Sequence, residues 1–228
     1  MTGIPTHNVR KHLALGNADY DEAIRRFIPG YEEMLSAAAD AVISTSPSDV
    51  QDLGAGTGAL SEAILKLHRS VKIELLDIDP EMLEIAKQRL LGFGDRVRYS
   101  RRSFSQPLES SDAFVASLSL HHVATLEAKA AVYSNAFESL RPGGVLVNAD
   151  VNMPADQKLQ AQMYQIWADH LVSCGISEID ASNYFDEWSD EDTYLPLEDE
   201  LSSLDTIGFE ASCIFSRGPV NVVVAKKL

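Results

Sequence analysis

Asp52-Leu53-Gly54-Ala55-Gly56-Thr57-Gly58 closes a short apolar strand, Asp49 to Leu53, and opens a helix from Gly58 to His68. Gly54 and Gly56 permit backbone angles and a close ligand approach that a Cβ would obstruct, and the helix N-terminus beyond them offers unpaired N–H groups. A loop built this way binds the polar end of a nucleoside cofactor. A second strand, Val71 to Asp77, ends in an acid 19 residues after Gly58, close to the ~20-residue offset at which a carboxylate accepts hydrogen bonds from ribose hydroxyls. Ligands of open α/β sheets bind in the crevice at the carboxyl ends of the strands, so these neighbouring loops form one nucleoside site.

Working outward, strand-length apolar runs alternate with helical patterns, which predicts an α/β fold with a mostly parallel sheet covered on both faces. Asp79 caps a helix that has Pro80 at its first position and runs to about Leu91. Arg96 to Ser100 alternates Val97 and Tyr99 with Arg96 and Arg98, as an exposed edge strand does. Ala113 to Leu118 is a fourth strand. A helix from Thr125 to Leu140 repeats apolar residues at Leu126, Ala130, Tyr133, Phe137 and Leu140, and Arg141-Pro142-Gly143-Gly144 stops it. Val145 to Val151 is a fifth strand, and Glu210 to Phe215 with Val220 to Ala225 forms a hairpin. Ahead of them all, Ala18 to Ile43 is helical, broken at Pro29-Gly30.

The chain has 228 residues, 45% hydrophobic and 23% charged, which excludes disordered, collagen-like and disulfide-scaffold classes. No apolar run approaches the roughly 18 to 20 residues that a bilayer requires, and the N-terminus lacks a secretory apolar region, so a cytoplasmic protein is expected. Cys174 and Cys213 stand far apart with no CxxC and no nearby histidine pair, and no metal site is expected from this spacing. The net charge of −15 opposes contact with a phosphate backbone, so nucleic acid is not an expected partner. Arg96, Arg98, Arg101 and Arg102 read as guards of an edge strand rather than an RNA-binding patch. The charge is concentrated: no Lys or Arg occurs from Leu159 to Ser216, where thirteen acids lie. This predicts one domain over 1–228, with N-terminal helices over 1–47, a cofactor-binding core over 48–152, an acidic helical cap over 153–206 and a hairpin over 207–228.

The ordered series of GxGxG, strand-ending Asp77, Asp112-Ala-Phe-Val-Ala-Ser-Leu-Ser-Leu-His-His-Val and Leu140-Arg-Pro-Gly-Gly resembles the class I S-adenosylmethionine-dependent methyltransferases. The resemblance covers about residues 48 to 152 and extends through Gly208-Phe209 to the last strand. It implies a Rossmann-like three-layer sandwich, a seven-stranded sheet whose last strand is antiparallel, S-adenosyl-L-methionine as cofactor and S-adenosyl-L-homocysteine as product. Carried over by residue, it implies that Gly54, Ala55 and Gly56 face the methionine part, Asp52 holds its amino group, Asp77 takes the ribose, and Ile78 with Met82 flanks the adenine. Where the family often has an acid near the adenine amine, this chain has Arg101-Arg102-Ser103-Phe104, so Ser103 or a backbone group beside Phe104 takes that place. Ser117 and Leu118 pass beside the sulfonium. Phe27-Ile28-Pro29-Gly30-Tyr31 also resembles the branch that makes carboxy-S-adenosylmethionine for tRNA modification, which implies Tyr31 as a cofactor contact. That branch holds the added carboxylate with an arginine, and the aligned position here is Ser203.

His121 and His122 then lie at the mouth of the site, where histidine suits proton removal near neutral pH, with a packing role as the alternative. His12 and Tyr20 are candidates to close over the cofactor. Tyr164, Trp167 and His170 mark the acidic segment as a substrate cover for an apolar or cationic small molecule, the alternative being helix packing under a solvated acidic face. The expected activity is methyl transfer to a small-molecule acceptor, in a monomer or a homodimer. The alternatives are a catalytically silent cofactor- or partner-binding module, a tRNA-modification enzyme, and an NAD-dependent oxidoreductase, since Gly54, Gly56 and Ala59 also fit GxGxxA.

Overall fold

A period of two in side-chain direction sets the layers. In β4 (Ser111–Ser117), Ala113 and Val115 join one apolar cluster while Phe114 and Ala116 join the other. In β5 (Leu140–Val151), Val145, Val147 and Ala149 divide from Leu146 in the same way, and in β7 (Val220–Lys226), Val220, Val222 and Val224 divide from Val223 and Ala225. Burial on both faces explains why these strands read as continuous apolar runs. The computed structural model describes residues 20–228, with side chains from residue 22 onward; His7, His12 and the side chain of Tyr20 lie outside the described residues.

With β1 (Asp49–Leu53), β2 (Lys72–Asp77), β3 (Val97–Arg101) and β6 (Glu210–Arg217), the seven-stranded sheet has the order β3-β2-β1-β4-β5-β7-β6. Neighbours from β3 to β5 are parallel, and β7 runs antiparallel to both β5 and β6. The Rossmann-like sheet with its antiparallel last strand is as the sequence implies. One cluster is covered by α1 (Tyr20–Phe27), α2 (Tyr31–Ile43), α3 (Ala59–Leu67), α4 (Pro80–Leu90), α6 (Gln157–Ser173) and α7 (Glu178–Ser189). The other lies beneath α5 (Leu126–Ser139) and α8 (Leu197–Ile207). No helix among the described residues is long and apolar enough to cross a membrane.

Two details depart from the sequence pattern. β5 begins at Leu140 rather than Val145, because Arg141 Nη1 donates to Asp112 Oδ1 (2.7 Å) and Asp49 Oδ2 (3.1 Å) and pins the Arg-Pro-Gly-Gly segment to β4 and β1. The α8 helix falls within the acidic stretch, yet it packs on α5. Its Glu200 is fully buried and accepts from Lys129 Nζ (3.1 Å), Tyr133 OH (2.5 Å), Asn148 Nδ2 (2.7 Å) and Asn152 Nδ2 (2.9 Å). Above the opposite face, Trp167 of α6 donates its Nε1–H to the Phe27 carbonyl (2.6 Å) and packs against Phe185, Trp188 and Tyr194.

Removing one partner of a buried ion pair leaves an uncompensated charge, so Glu200→Ala is expected to destabilise the protein by about 3–5 kcal/mol in urea unfolding. The double replacement Lys129→Met with Glu200→Gln, which removes both charges and keeps an acceptor for the Tyr133 and Asn148 donors, is expected to cost less.

Candidate functional site

The loop after β1 is held from its flanks. Gly54 N and Ala55 N both donate to the Leu76 carbonyl at the end of β2 (2.8 and 3.0 Å). Ser119 Oγ, from the loop after β4, donates to the Leu53 carbonyl (2.7 Å). Gly54 has φ of 72°, and a Cβ there would stand 2.7 Å from Ser119 Cβ. Gly56 also has positive φ, but a Cβ built on it meets nothing within 4 Å, so this glycine faces the open side of the loop. Its N–H donates to Asp77 Oδ2 (2.8 Å), and Asp77 Oδ1 accepts from Asp79 N (2.8 Å). The carboxyl ends of β1, β2 and β4 thus meet where the sheet order turns from β1 to β4, the position at which open α/β sheets bind ligands.

Asp52 lies beneath this loop, 1% exposed. Its Oδ2 accepts from Ser61 Oγ (2.6 Å), while Oδ1 is buried without a hydrogen-bond partner. Burial, with Asp77 nearby, pushes its carboxyl up to about 7. Burial likewise raises the Asp77 carboxyl. An unpaired buried carboxylate oxygen below a loop with open space at Gly56 fits the charged amino-acid end of S-adenosylmethionine, and Asp77 on the rim retains acceptor capacity for ribose hydroxyls. Around them, Ile78 is exposed and Met82 buried at the start of α4, and the Phe104 ring stands against Gly54. Ser103 Oγ is bonded to Ser105 Oγ. Tyr31 is buried in the core at the start of α2. Ser117 ends β4, and Leu118 follows in a left-handed conformation (φ 51°) that a side chain rarely adopts.

Beyond Leu118, a 3-10 turn over Leu120–His122 carries the two histidines. His121 is buried and donates Nδ1–H to Asp150 Oδ1 (2.5 Å), on β5. His122 Nδ1 lies 2.9 Å from Asp192 Oδ1, which is 3.7 Å from His121 Nε2. Tyr194 OH donates to Asp192 Oδ2 (2.7 Å), and Thr193 N donates to the His121 carbonyl (2.8 Å), so the segment after α7 is docked on the turn. Burial would lower the His121 pKa, but Asp150 and Asp192 together raise it. Burial opposes the ionisation of Asp192, yet the histidines hold its carboxyl well below the usual range.

A family model described as a methyltransferase domain matches residues 51–146. The match takes in the glycine loop and the strands from β2 to β4, and over that stretch the chain is similar to methyltransferases. The chain is 21% identical to the carboxy-S-adenosyl-L-methionine synthase of Campylobacter lari over 164 residues, 71% of this chain and 70% of the relative. It superposes on an O-methyltransferase family protein from Burkholderia thailandensis with TM-score 0.70 at 15% identity, covering 97% of this chain and 60% of that one. For PigF with SAH the TM-score is 0.66 at 17% identity, with 92% and 58% covered. The chain therefore spans about three fifths of the length of these two solved chains.

Of the aromatic and histidine residues that the sequence marks in the acidic segment, Trp167 is 1% exposed and Tyr164 is half-buried against Phe185. His170 stands on the same helix with Nε2 3.8 Å from Cys174 Sγ, at the far end from Tyr164. Sequence reasoning missed Asp150, Asp192 and Ser61. The signal for Asp150 was present, since it closes an apolar strand as Asp77 does; Asp192 is one of thirteen acids in its stretch and carries no local mark.

The raised Asp52 carboxyl gives a testable sign. The folded, ligand-free protein keeps a proton on Asp52 that the unfolded chain has lost between about pH 4 and pH 7, so this group's stabilisation falls as pH rises through that window. Asp52→Asn removes the effect. The variant's melting temperature minus the parent's is expected to climb from pH 4 to 7 and level off above; a difference independent of pH overturns the assignment.

Proposed function

We propose that the chain transfers a methyl group from S-adenosylmethionine to a small-molecule acceptor held at the ends of β4 and β5. The observation that carries the reading is the Ser119 hydrogen bond to the Leu53 carbonyl, which ties the loop after β4 to the end of β1 and brings two dissimilar ends side by side. One end is a glycine loop over the orphaned Asp52 oxygen, and the other is the buried His121–Asp150 pair.

When bound, the cofactor supplies an electrophilic methyl group. Displacement at that carbon is in-line, so the protein contributes position and, for an O–H, S–H or N–H acceptor, the handling of a proton. Gly54, Ala55 and Gly56 hold the amino-acid part, Asp52 its ammonium group and Asp77 the ribose. Ile78, Met82, Ser103 and Phe104 border the base, Ser117 and Leu118 border the sulfonium, and Tyr31 supports the loop from α2. His121, oriented through Nδ1 by Asp150, and His122 receive the polar atom of the acceptor. Tyr164, Trp167 and His170 belong to the helix whose aromatic cluster covers this end.

The relatives that make carboxy-S-adenosylmethionine support a second reading, carboxylation of the cofactor itself. It is weaker because no arginine lies between residues 159 and 216 to hold the added carboxylate.

Calorimetry with S-adenosylhomocysteine tests the cofactor site. Two hydrogen bonds from ribose to a charged carboxylate predict that Asp77→Ala weakens binding about tenfold or more. Mass spectrometry of the cofactor after incubation with an acceptor panel separates the reactions: S-adenosylhomocysteine supports methyl transfer, and a cofactor species heavier by one carboxylate supports the synthase. Cofactor binding with neither product supports a silent module.

A further inference from the structure

We propose that His121 Nε2, His122 Nδ1 and Asp192 Oδ1 hold a divalent transition-metal ion at the acceptor end of the site. This goes beyond the sequence pattern, in which histidine and cysteine spacing gave no metal site, because the third ligand comes from 70 residues further along the chain.

The geometry gathers three ligand atoms in one place, where a small adjustment of the side chains would seat them on a shared ion. One donor atom from each residue lies within 4.8 Å of the others. Asp192 Oδ1 stands 2.9 Å from His122 Nδ1 and 3.7 Å from His121 Nε2. The second distance is too long for a hydrogen bond, whereas two ligands each ~2.1 Å from one ion lie at most ~4.2 Å apart. The ion takes the place of the proton between His122 and Asp192.

The surroundings are those that orient metal ligands. A ligating histidine usually donates its other ring N–H to a carboxylate, which fixes the tautomer and aims the free nitrogen; Asp150 does this for His121. Tyr194 OH donates to Asp192 Oδ2, which leaves Oδ1 for the ion. Thr193 N, bonded to the His121 carbonyl, fixes the backbone next to Asp192.

Charge points the same way. With both imidazoles neutral the cluster carries two largely buried carboxylates, Asp150 and Asp192, and Asp150 Oδ2 has no partner. The nearby Lys129 is already paired with Glu200. Buried charges are paired or coordinate metals, and one divalent ion balances this cluster with both histidines in their ligating form. Two imidazoles and one carboxylate suit zinc, cobalt, manganese or iron rather than magnesium or calcium. Three protein ligands leave coordination positions for water or for an acceptor oxygen. That last use rests on the methyl-transfer reading, whereas the binding of the ion does not.

The test uses the full chain, stripped with a chelator and titrated with Co²⁺ and Zn²⁺ by calorimetry and, for cobalt, by visible absorption. Uptake of one equivalent per chain is expected. His122→Gln and Asp192→Asn are expected to lower the affinity by tenfold or more, and Asp150→Asn, which removes no ligand, by about 10–100-fold. His68→Gln, which removes an imidazole beside Ser70 and outside the site, is expected to change nothing. Binding of S-adenosylhomocysteine by each variant reports that the fold is retained. The proposal is overturned if uptake is not saturable at one equivalent, if it survives His122→Gln and Asp192→Asn, or if His68→Gln abolishes it. Metal uptake without product separates this result from a failure of the methyl-transfer reading.

Discussion

The site depends on the closeness of three strand ends. Leu76 carbonyl takes two N–H groups from the loop after β1, and Ser119 reaches across to the Leu53 carbonyl. This clamp leaves no room for a side chain at position 54, so the glycine is required by what lies behind the loop as much as by any ligand in front of it. The loop therefore holds its shape by bonds internal to the sheet edge. A loop whose shape is set in advance loses little freedom when a ligand arrives.

On the other face, the sheet departs from an all-apolar core. Leu146, Asn148 and Asp150 share one side of β5, and the two polar residues feed adjacent networks: Asn148 bonds Glu200, and Asp150 bonds His121. Glu200 gathers donors from α5, β5 and the residue after it, so a single carboxylate fixes α8 against the sheet. The polar seam next to it orients His121. The rigidity that places that imidazole comes from groups that never face the crevice.

Much of this was readable from the chain. Period-two apolar runs and glycine punctuation are local signals, and they located β1, β2, β4, β7 and the helix cap at Asp79, whose side chain accepts from Glu81 N. The nucleoside loop was legible because its residues are neighbours in sequence. Asp192 was not, since its role arises only when the chain folds back 70 residues onto His122. Composition also misleads where burial decides. Glu200 counts as one more acid in an acidic stretch, yet four donors surround it in the interior, and nothing near it in sequence announces them.

The placement of β7 sets an order on assembly. It lies between β5 and β6, so β6 reaches the sheet only through a strand that comes after it in the chain. Its partner β5 precedes it by about 70 residues, with α6, α7 and α8 closing the loop between them. Such a pairing carries a large loop-closure entropy and forms late. Until it forms, the edge of β5 stays open to pairing with another chain. The acidic stretch spans that interval and keeps partly folded copies apart by mutual repulsion.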